Sequence, residues 1–380
     1  MSAVPFTVNV PDAVLADLRD RLARTRWPDE VPGAGWDYGV SLAYLKDLTE
    51  YWRSGFDWRA HESRLNQLTN VSVEIDGLRV HAIHQRGRGP HPLPLLVTHG
   101  WPSTCYEAID LIGLLTDPDD PADAFDVIVP SLPGFGFSQI PVVPGMTSTR
   151  KAGMLVRLME ALGYDRFGAH AYDVGASMLS VMCLDYPDHI VGYHTTEPAN
   201  AVSYTAPALP PLTEAERAYL DLTDKWYASE GGYDLIQATR PQTLGYGLND
   251  SPAGLAAWIL DKWYTWTEPP DGDLGKHFTA DQLLANVTIY WATGTINSAN
   301  RGYYERDHHP RHPAATDKIQ VPAGVALTTQ AIERAPREYL ERFYTDIRHW
   351  RDLGAGGHFV MLERPELLAE SIREFFRQLR

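Results

Sequence analysis

The sequence predicts an α/β protein: a mostly parallel central sheet, a helical extension before it, and a helical insertion that interrupts it. Two changes of rhythm carry this reading. Over 71–200, short apolar strand-like runs alternate with amphipathic helices, and the alternation resumes over 316–380. Between them, 201–315 is rich in Trp and Tyr and shows helical periodicity, while 1–70 reads as a helical, aromatic-rich lead-in.

Each element follows from local pattern. Pro11-Asp12 opens an amphipathic segment over 13–25, with Val14, Leu15, Leu18 and Leu22 at helical spacing, and a second helix is expected over 41–54. Residues 78–84 alternate like a strand. Residues 93–98 and 125–130 are short apolar runs bounded by turn residues, which suits buried parallel strands. A helix over 147–162, a strand ending near Ala171 and a helix from about Gly175 come next. After the insertion, 321–328 and 347–353 read as strands, and 337–343 and 365–380 as helices.

Composition narrows the function. The 380 residues carry 49 Asp+Glu against 33 Lys+Arg, a net charge of −16, which leaves no basic face for nucleic acid. Cys105 and Cys183 cannot build a disulfide framework or a four-cysteine zinc site; they are expected as packed, reduced thiols of a cytoplasmic protein. No signal peptide and no apolar run of ~20 residues is seen, so no membrane anchor is expected.

The strongest chemical signal is Ala171-Tyr172-Asp173-Val174-Gly175. Small residues two before and two after a central residue let a strand turn sharply into a helix and expose that residue. An aspartate there is ionised at neutral pH without a base and can attack a saturated carbon; the ester formed then needs an activated water. Leu353-Gly354-Ala355-Gly356-Gly357-His358-Phe359 offers the base, a histidine in a glycine-rich loop before the last helix. His99-Gly100-Trp101-Pro102 follows the 93–98 run, where the Trp101 N–H could join that of Val174 as an oxyanion hole. The tract Asp307-His308-His309-Pro310-Arg311-His312-Pro313 reads as a surface loop, because its prolines break regular ligand spacing; no metal or other cofactor is expected.

Taken with Arg26-Trp27-Pro28, Leu132-Pro133-Gly134-Phe135-Gly136-Phe137-Ser138 and Thr239-Arg240-Pro241-Gln242-Thr243, these motifs make nearly the whole chain resemble an epoxide hydrolase of the α/β-hydrolase superfamily. The branch is the one with an N-terminal helical extension that includes microsomal and juvenile-hormone enzymes. The resemblance implies an α/β-hydrolase fold with 201–315 as a helical cap, and an oxirane opened to a vicinal diol through an Asp173 ester. It implies that two cap tyrosines bind the epoxide oxygen and supply its proton: Tyr233, and Tyr303 with Tyr304 as the adjacent register. The substrate implied is a small apolar or aromatic epoxide, with water as co-substrate; a homo-oligomer stays open.

Two departures stand out. Val174 and Tyr172 flank Asp173 where the family usually has Trp and Gly. Counting back from Pro336 puts the family's acid position at Ala331, which cannot act. Glu197, 24 residues after Asp173 and at a strand end, is where some haloalkane dehalogenases keep their acid, so Glu197 is expected to partner His358, with Glu333 as the alternative. That placement keeps a haloalkane dehalogenase as the rival function. A non-catalytic binder on the same scaffold is the rival from another class.

Overall fold

The computed structural model describes residues 2–199, 210–267, 273–311 and 317–380. Its sheet is built from β1 (Val4–Pro5), β2 (Asn70–Ile75), β3 (Leu78–Gln85), β4 (Leu93–Val97), β5 (Phe125–Pro130), β6 (Phe167–Ala171), β7 (Ile190–Thr195), β8 (Ala323–Leu327) and β9 (Ile347–Asp352). The spatial order is β1-β2-β3-β5-β4-β6-β7-β8-β9. The first strands pair antiparallel, as far as the β3–β5 pair; every pair from β5 to β9 is parallel. β5, β6 and β8 are buried along their whole length, as parallel strands covered on both faces must be.

Helices α1 (Asp12–Ala23), α2 (Leu42–Ser54) and α3 (Trp58–Asn66) precede the core. The core adds α4 (Ile109–Thr116), α5 (Ser148–Ala161) and α6 (Asp173–Asp185). Between β7 and β8 run α7 (Glu214–Glu230), α8 (Gly232–Thr239), α9 (Pro241–Asp250), α10 (Pro252–Thr265), α11 (Ala280–Thr293) and α12 (Ile296–His308). Then come α13 (Arg337–Leu340), α14 (Val360–Glu363) and α15 (Pro365–Phe376). Reciprocal capping boxes fix the starts of α7, Thr213 with Glu216, and α11, Thr279 with Gln282. Along α15, Leu368, Ala369, Ile372, Phe375 and Phe376 form the buried stripe; Phe376 sits against Gly168 and Phe375 against Gly324, where any side chain on the strand would collide.

This architecture is the α/β fold that the sequence pattern predicts. Several elements were not named from that pattern: β2, α4 and α14, as well as β1 and α3. β1 is only two residues, too short for a period, and α3 is mostly polar, opened by Asp57 and burying only Trp58, Glu62 and Leu65. The helix expected from Gly175 begins at Asp173, and that expected over 337–343 ends at Leu340. Residues 200–209 and 312–316, on which the expected insertion boundaries fall, lie outside the described residues. No described helix is long and apolar enough to cross a membrane.

The extension braces the insertion, and the insertion braces the site. Trp52 Nε1 donates to Thr288 Oγ1 of α11 at 2.9 Å. From the same helix, Asn286 Nδ2 and Tyr290 Oη donate to the carbonyls of Pro102 and Ser103, each at 2.8 Å. The loop after β4 is therefore held from above by α11.

Candidate active site

β6 ends at Ala171 and α6 starts at Asp173, whose φ of 52° is left-handed, a conformation that costs a non-glycine residue about 1–3 kcal/mol. Close packing makes the turn this tight. A Cβ on Gly175 would come within 2.4 Å of Thr98 Oγ1, and one on Gly100 within 2.4 Å of Asp173 Cβ. The Asp173 amide donates to Glu197 Oε2 at 2.5 Å, so the strained residue is tied back to the end of β7.

The Asp173 carboxylate meets the two expected amides. Trp101 N–H donates to Oδ1 at 2.7 Å, and the Val174 N–H also hydrogen-bonds to the side chain. Trp101 itself is anchored by Nε1 donating to Asn300 Oδ1 at 3.0 Å, and its peptide with Pro102 is cis. Burial raises the Asp173 pKa above the usual carboxylate value; the His358 charge and the two amides oppose this.

His358 corrects the expected acid. Its Nδ1 lies 2.6 Å from Glu333 Oε1, not against Glu197. Position counting lands on Ala331, but Ala331–Glu333 form a 3-10 turn after β8, in which residues two apart differ by about 240°, and Ala331 is the exposed one. That rotation turns Glu333 inward. It is 1% exposed, and its other oxygen accepts from Thr328 Oγ1 at 2.6 Å. Glu197 serves the Asp173 amide instead, and burial, with repulsion from Glu333 and Asp173, outweighs the His358 charge and raises its pKa well above the ordinary value. Burial alone would lower the His358 pKa; the hydrogen bond and charge of Glu333, with the charges of Glu197 and Asp173, push it up to about 10. Among the described residues His358 Nε2 has no hydrogen-bond partner, and it lies 3.6 Å from Asp173 Oδ2.

The opposite wall comes from the insertion. Tyr233, near the start of α8, stacks on Trp101 with ring centroids 5.0 Å apart and an interplanar angle of 5°. Tyr303 of α12 meets Tyr233 edge-on at 5.9 Å. Both line the cavity that also contains Asp173, Glu197, Glu333 and His358. Tyr303 Oη is buried and, among the described residues, has no hydrogen-bond partner. Tyr304 points away, half-exposed and stacked on His308 at 3.7 Å, which decides the register between the two neighbours.

The structure thus brings Asp173, His358, Val174, Tyr233, Tyr303 and Glu197 to one cavity, with Trp101 behind it on Asp173 and Glu333 in the place expected of Glu197. Ligand atoms of Asp173, Glu197 and His358 lie within 4.8 Å of one another, a spacing that could hold a metal ion. Chemically the set is a carboxylate nucleophile held by two amides, an imidazole backed by a carboxylate, and phenols on the facing wall. In the histidine tract, His308 Nδ1 meets the Tyr304 carbonyl at 2.9 Å and His309 lies 3.6 Å from Glu305; His312 and Pro313 are outside the described residues. Sequence reading passed over Lys151, which lines the same cavity. Its signal was present: it precedes Leu155 and Leu158 at helical spacing, on the face that α5 buries.

A family model described as "Epoxide hydrolase N terminus" matches residues 3–108, and one described as "alpha/beta hydrolase fold" matches 94–231. Epoxide hydrolase 1 of Sus scrofa is 34% identical over 98% of this chain and 88% of its own. The crystal structure of juvenile hormone epoxide hydrolase from the silkworm Bombyx mori superposes with a TM-score of 0.87 at 30% identity, covering 100% of this chain and 94% of that one. The Aspergillus niger epoxide hydrolase structure gives a TM-score of 0.87 at 27% identity, covering 100% and 97%.

Proposed function

We propose how this chain, which belongs to the epoxide hydrolase family of the α/β-hydrolase fold, opens an oxirane: through an ester on Asp173, with His358 and Glu333 hydrolysing it. The observation that carries this is the buried Tyr303 Oη without a protein partner, across the cavity from a carboxylate already seated on two amides. An unpartnered buried hydroxyl is unfavourable until an acceptor arrives, and an epoxide oxygen is such an acceptor. Tyr303 and Tyr233 bind that oxygen. Asp173 Oδ2, the oxygen not engaged by Trp101, attacks an oxirane carbon as the C–O bond breaks and a tyrosine proton passes to the leaving oxygen.

Esterification removes the Asp173 charge, one of the charges that hold the His358 pKa high, so the imidazolium gives its Nε2 proton to the tyrosinate left by ring opening and becomes able to act as a base. Its Nε2 then takes a proton from water, which adds to the ester carbon. The Trp101 and Val174 amides hold the oxyanion on Oδ1, and Glu333 holds the Nδ1–H and the cation that forms. Collapse passes the proton of the added hydroxyl to the leaving alkoxide and releases a vicinal diol, the Asp173 carboxylate and the recharged imidazolium. None of these steps calls on a group beyond the side chains and water.

Haloalkane dehalogenation fits less well. A halide leaves without a proton, so the paired phenols would have no task, and the feature that leaned that way was Glu197 as the acid. The test is a single turnover of styrene oxide in ¹⁸O-water. Label should enter the Asp173 carboxylate first and reach diol only in later turnovers; label in the first diol would mean that water attacks the epoxide directly.

A further inference from the structure

We propose that the preferred substrates are epoxides bearing a carboxylate close to the oxirane, and that Lys151 receives that carboxylate; this rests on the reading of Asp173 and Tyr303 above. Lys151 lies near the start of α5 and is 6% exposed. Burial and the field of a helix N-terminus both disfavour an ammonium there. No nearby acid compensates it. Glu305 attracts it across space, but both Glu305 oxygens accept the Gly145 N–H at 3.0 Å, and one lies 3.6 Å from His309 Nε2. Arg301 of α12 repels it.

Its position shares the reacting cavity. Nζ lies 5.6 Å from the Phe135 ring centroid and close against Gly302, where an added Cβ would be 3.4 Å away. Lys151, Gly302, Tyr303 and Asp173 line one cavity, so a substituent of an oxirane held by Tyr303 can reach toward the amine. Lys151, Met146 and Gly302 also border a groove lined by 141–144 and 239–243, so the amine stands where the cavity meets the surface. The other cations at this wall are engaged: Arg306 is paired with Asp234 and Asp307, and Arg301 donates to the Pro141 carbonyl. Among the described residues this leaves one uncommitted positive charge, in a cavity that also holds Asp173 and Glu333, which suits a monoanion such as a carboxylate and repels a dianion.

The test compares trans-3-phenylglycidate with styrene oxide, which lacks the carboxylate. In Lys151→Met the ratio of kcat/KM for phenylglycidate over styrene oxide should fall about tenfold or more at pH 7; Lys151→Arg should hold it within about threefold. Burial and Arg301 lower the Lys151 pKa to about 8 against the pull of Glu305, while His99, also near it, is buried and neutral with a pKa of about 4. In the wild-type protein the ratio should therefore decline between pH 7 and 9 as the amine loses its proton, a readout that stands even if Lys151→Met does not fold. A protein that opens styrene oxide but shows an unchanged ratio in the folded Met variant, or a flat ratio from pH 7 to 9, overturns this proposal alone. Failure to open either epoxide overturns the reading of the site on which it rests.

Discussion

On the sheet side of the cavity, Asp173 Oδ1, the Asp173 amide and His358 Nδ1 all have partners within 2.7 Å, whereas across it Tyr303 Oη has none. The sheet side is built from strand ends and tight turns, with glycines where a Cβ would collide, and its charges are seated before any substrate arrives. The insertion side is built from rings, Tyr233 stacked on Trp101 of the β4 loop and edge-on to Tyr303, and its Tyr303 hydroxyl has no partner among the described residues. The difference separates two tasks. Preorganised amides stabilise charge that develops late, at the ester; donors without partners wait for an oxygen that only the substrate brings. His358 Nε2 is the exception on the sheet side, and it is the atom for which the proposed chemistry requires a water.

If the phenols are donors to the epoxide oxygen, removing one hydroxyl should have a large effect with little change in fold. Tyr303→Phe is expected to slow ester formation by roughly a hundred- to ten-thousand-fold in rapid-mixing experiments. Tyr304→Phe, on the outward face, should stay within about twofold. Equal losses in the two variants would erase the distinction between inward and outward tyrosines.

The charged wall should reveal itself in the pH dependence of stability. The folded pKa of His358 is raised to about 10, above the ordinary ~6.5 of an unfolded chain. Its stabilising contribution is therefore fully present below about pH 6.5 and is lost as pH rises toward 10. Urea midpoints measured from pH 6.5 to 10 should fall more steeply for the wild type than for His358→Gln. Parallel slopes would mean that the imidazole is not held charged in the free protein.

Packing tolerance should differ in the same sense. Gly175→Ala drives a methyl toward Thr98 Oγ1 and the His99 carbonyl and should destabilise by about 1–3 kcal/mol. Gly247→Ala, in α9 with nothing within 4 Å, should stabilise by about 0.5–1 kcal/mol through helix propensity. Denaturant titration of the two variants measures both.

What was legible in the sequence follows the same division. The Asp173 turn, the His99–Pro102 loop and the His358 loop depend on short contiguous motifs, so spacing alone brought their residues together. Tyr303 against Tyr304 could not be settled that way, because adjacent helical residues differ by about 100° and only packing selects the inward one. Glu333 was set second because it lies two residues from the counted position, and counting cannot foresee that in the 3-10 turn after β8 it is Glu333, not Ala331, that is buried. Glu197 looked right because its strand end does approach the nucleophile, but it meets the backbone amide of Asp173 and not the imidazole. Lys151 was passed over because one cation in an apolar stripe looks like noise until the cavity beside it is seen.

The account turns on which carboxylate backs His358, and intact-protein mass spectrometry after mixing with styrene oxide tests that most directly. In Glu333→Gln, alkylation of Asp173 should proceed while ester hydrolysis slows by about a thousandfold or more, so a species heavier by one substrate should accumulate within the first turnover. Glu197→Gln should turn over without such build-up, because it keeps an oxygen for the Asp173 amide. Accumulation in Glu197→Gln with none in Glu333→Gln would contradict the account and return the acid to the end of β7.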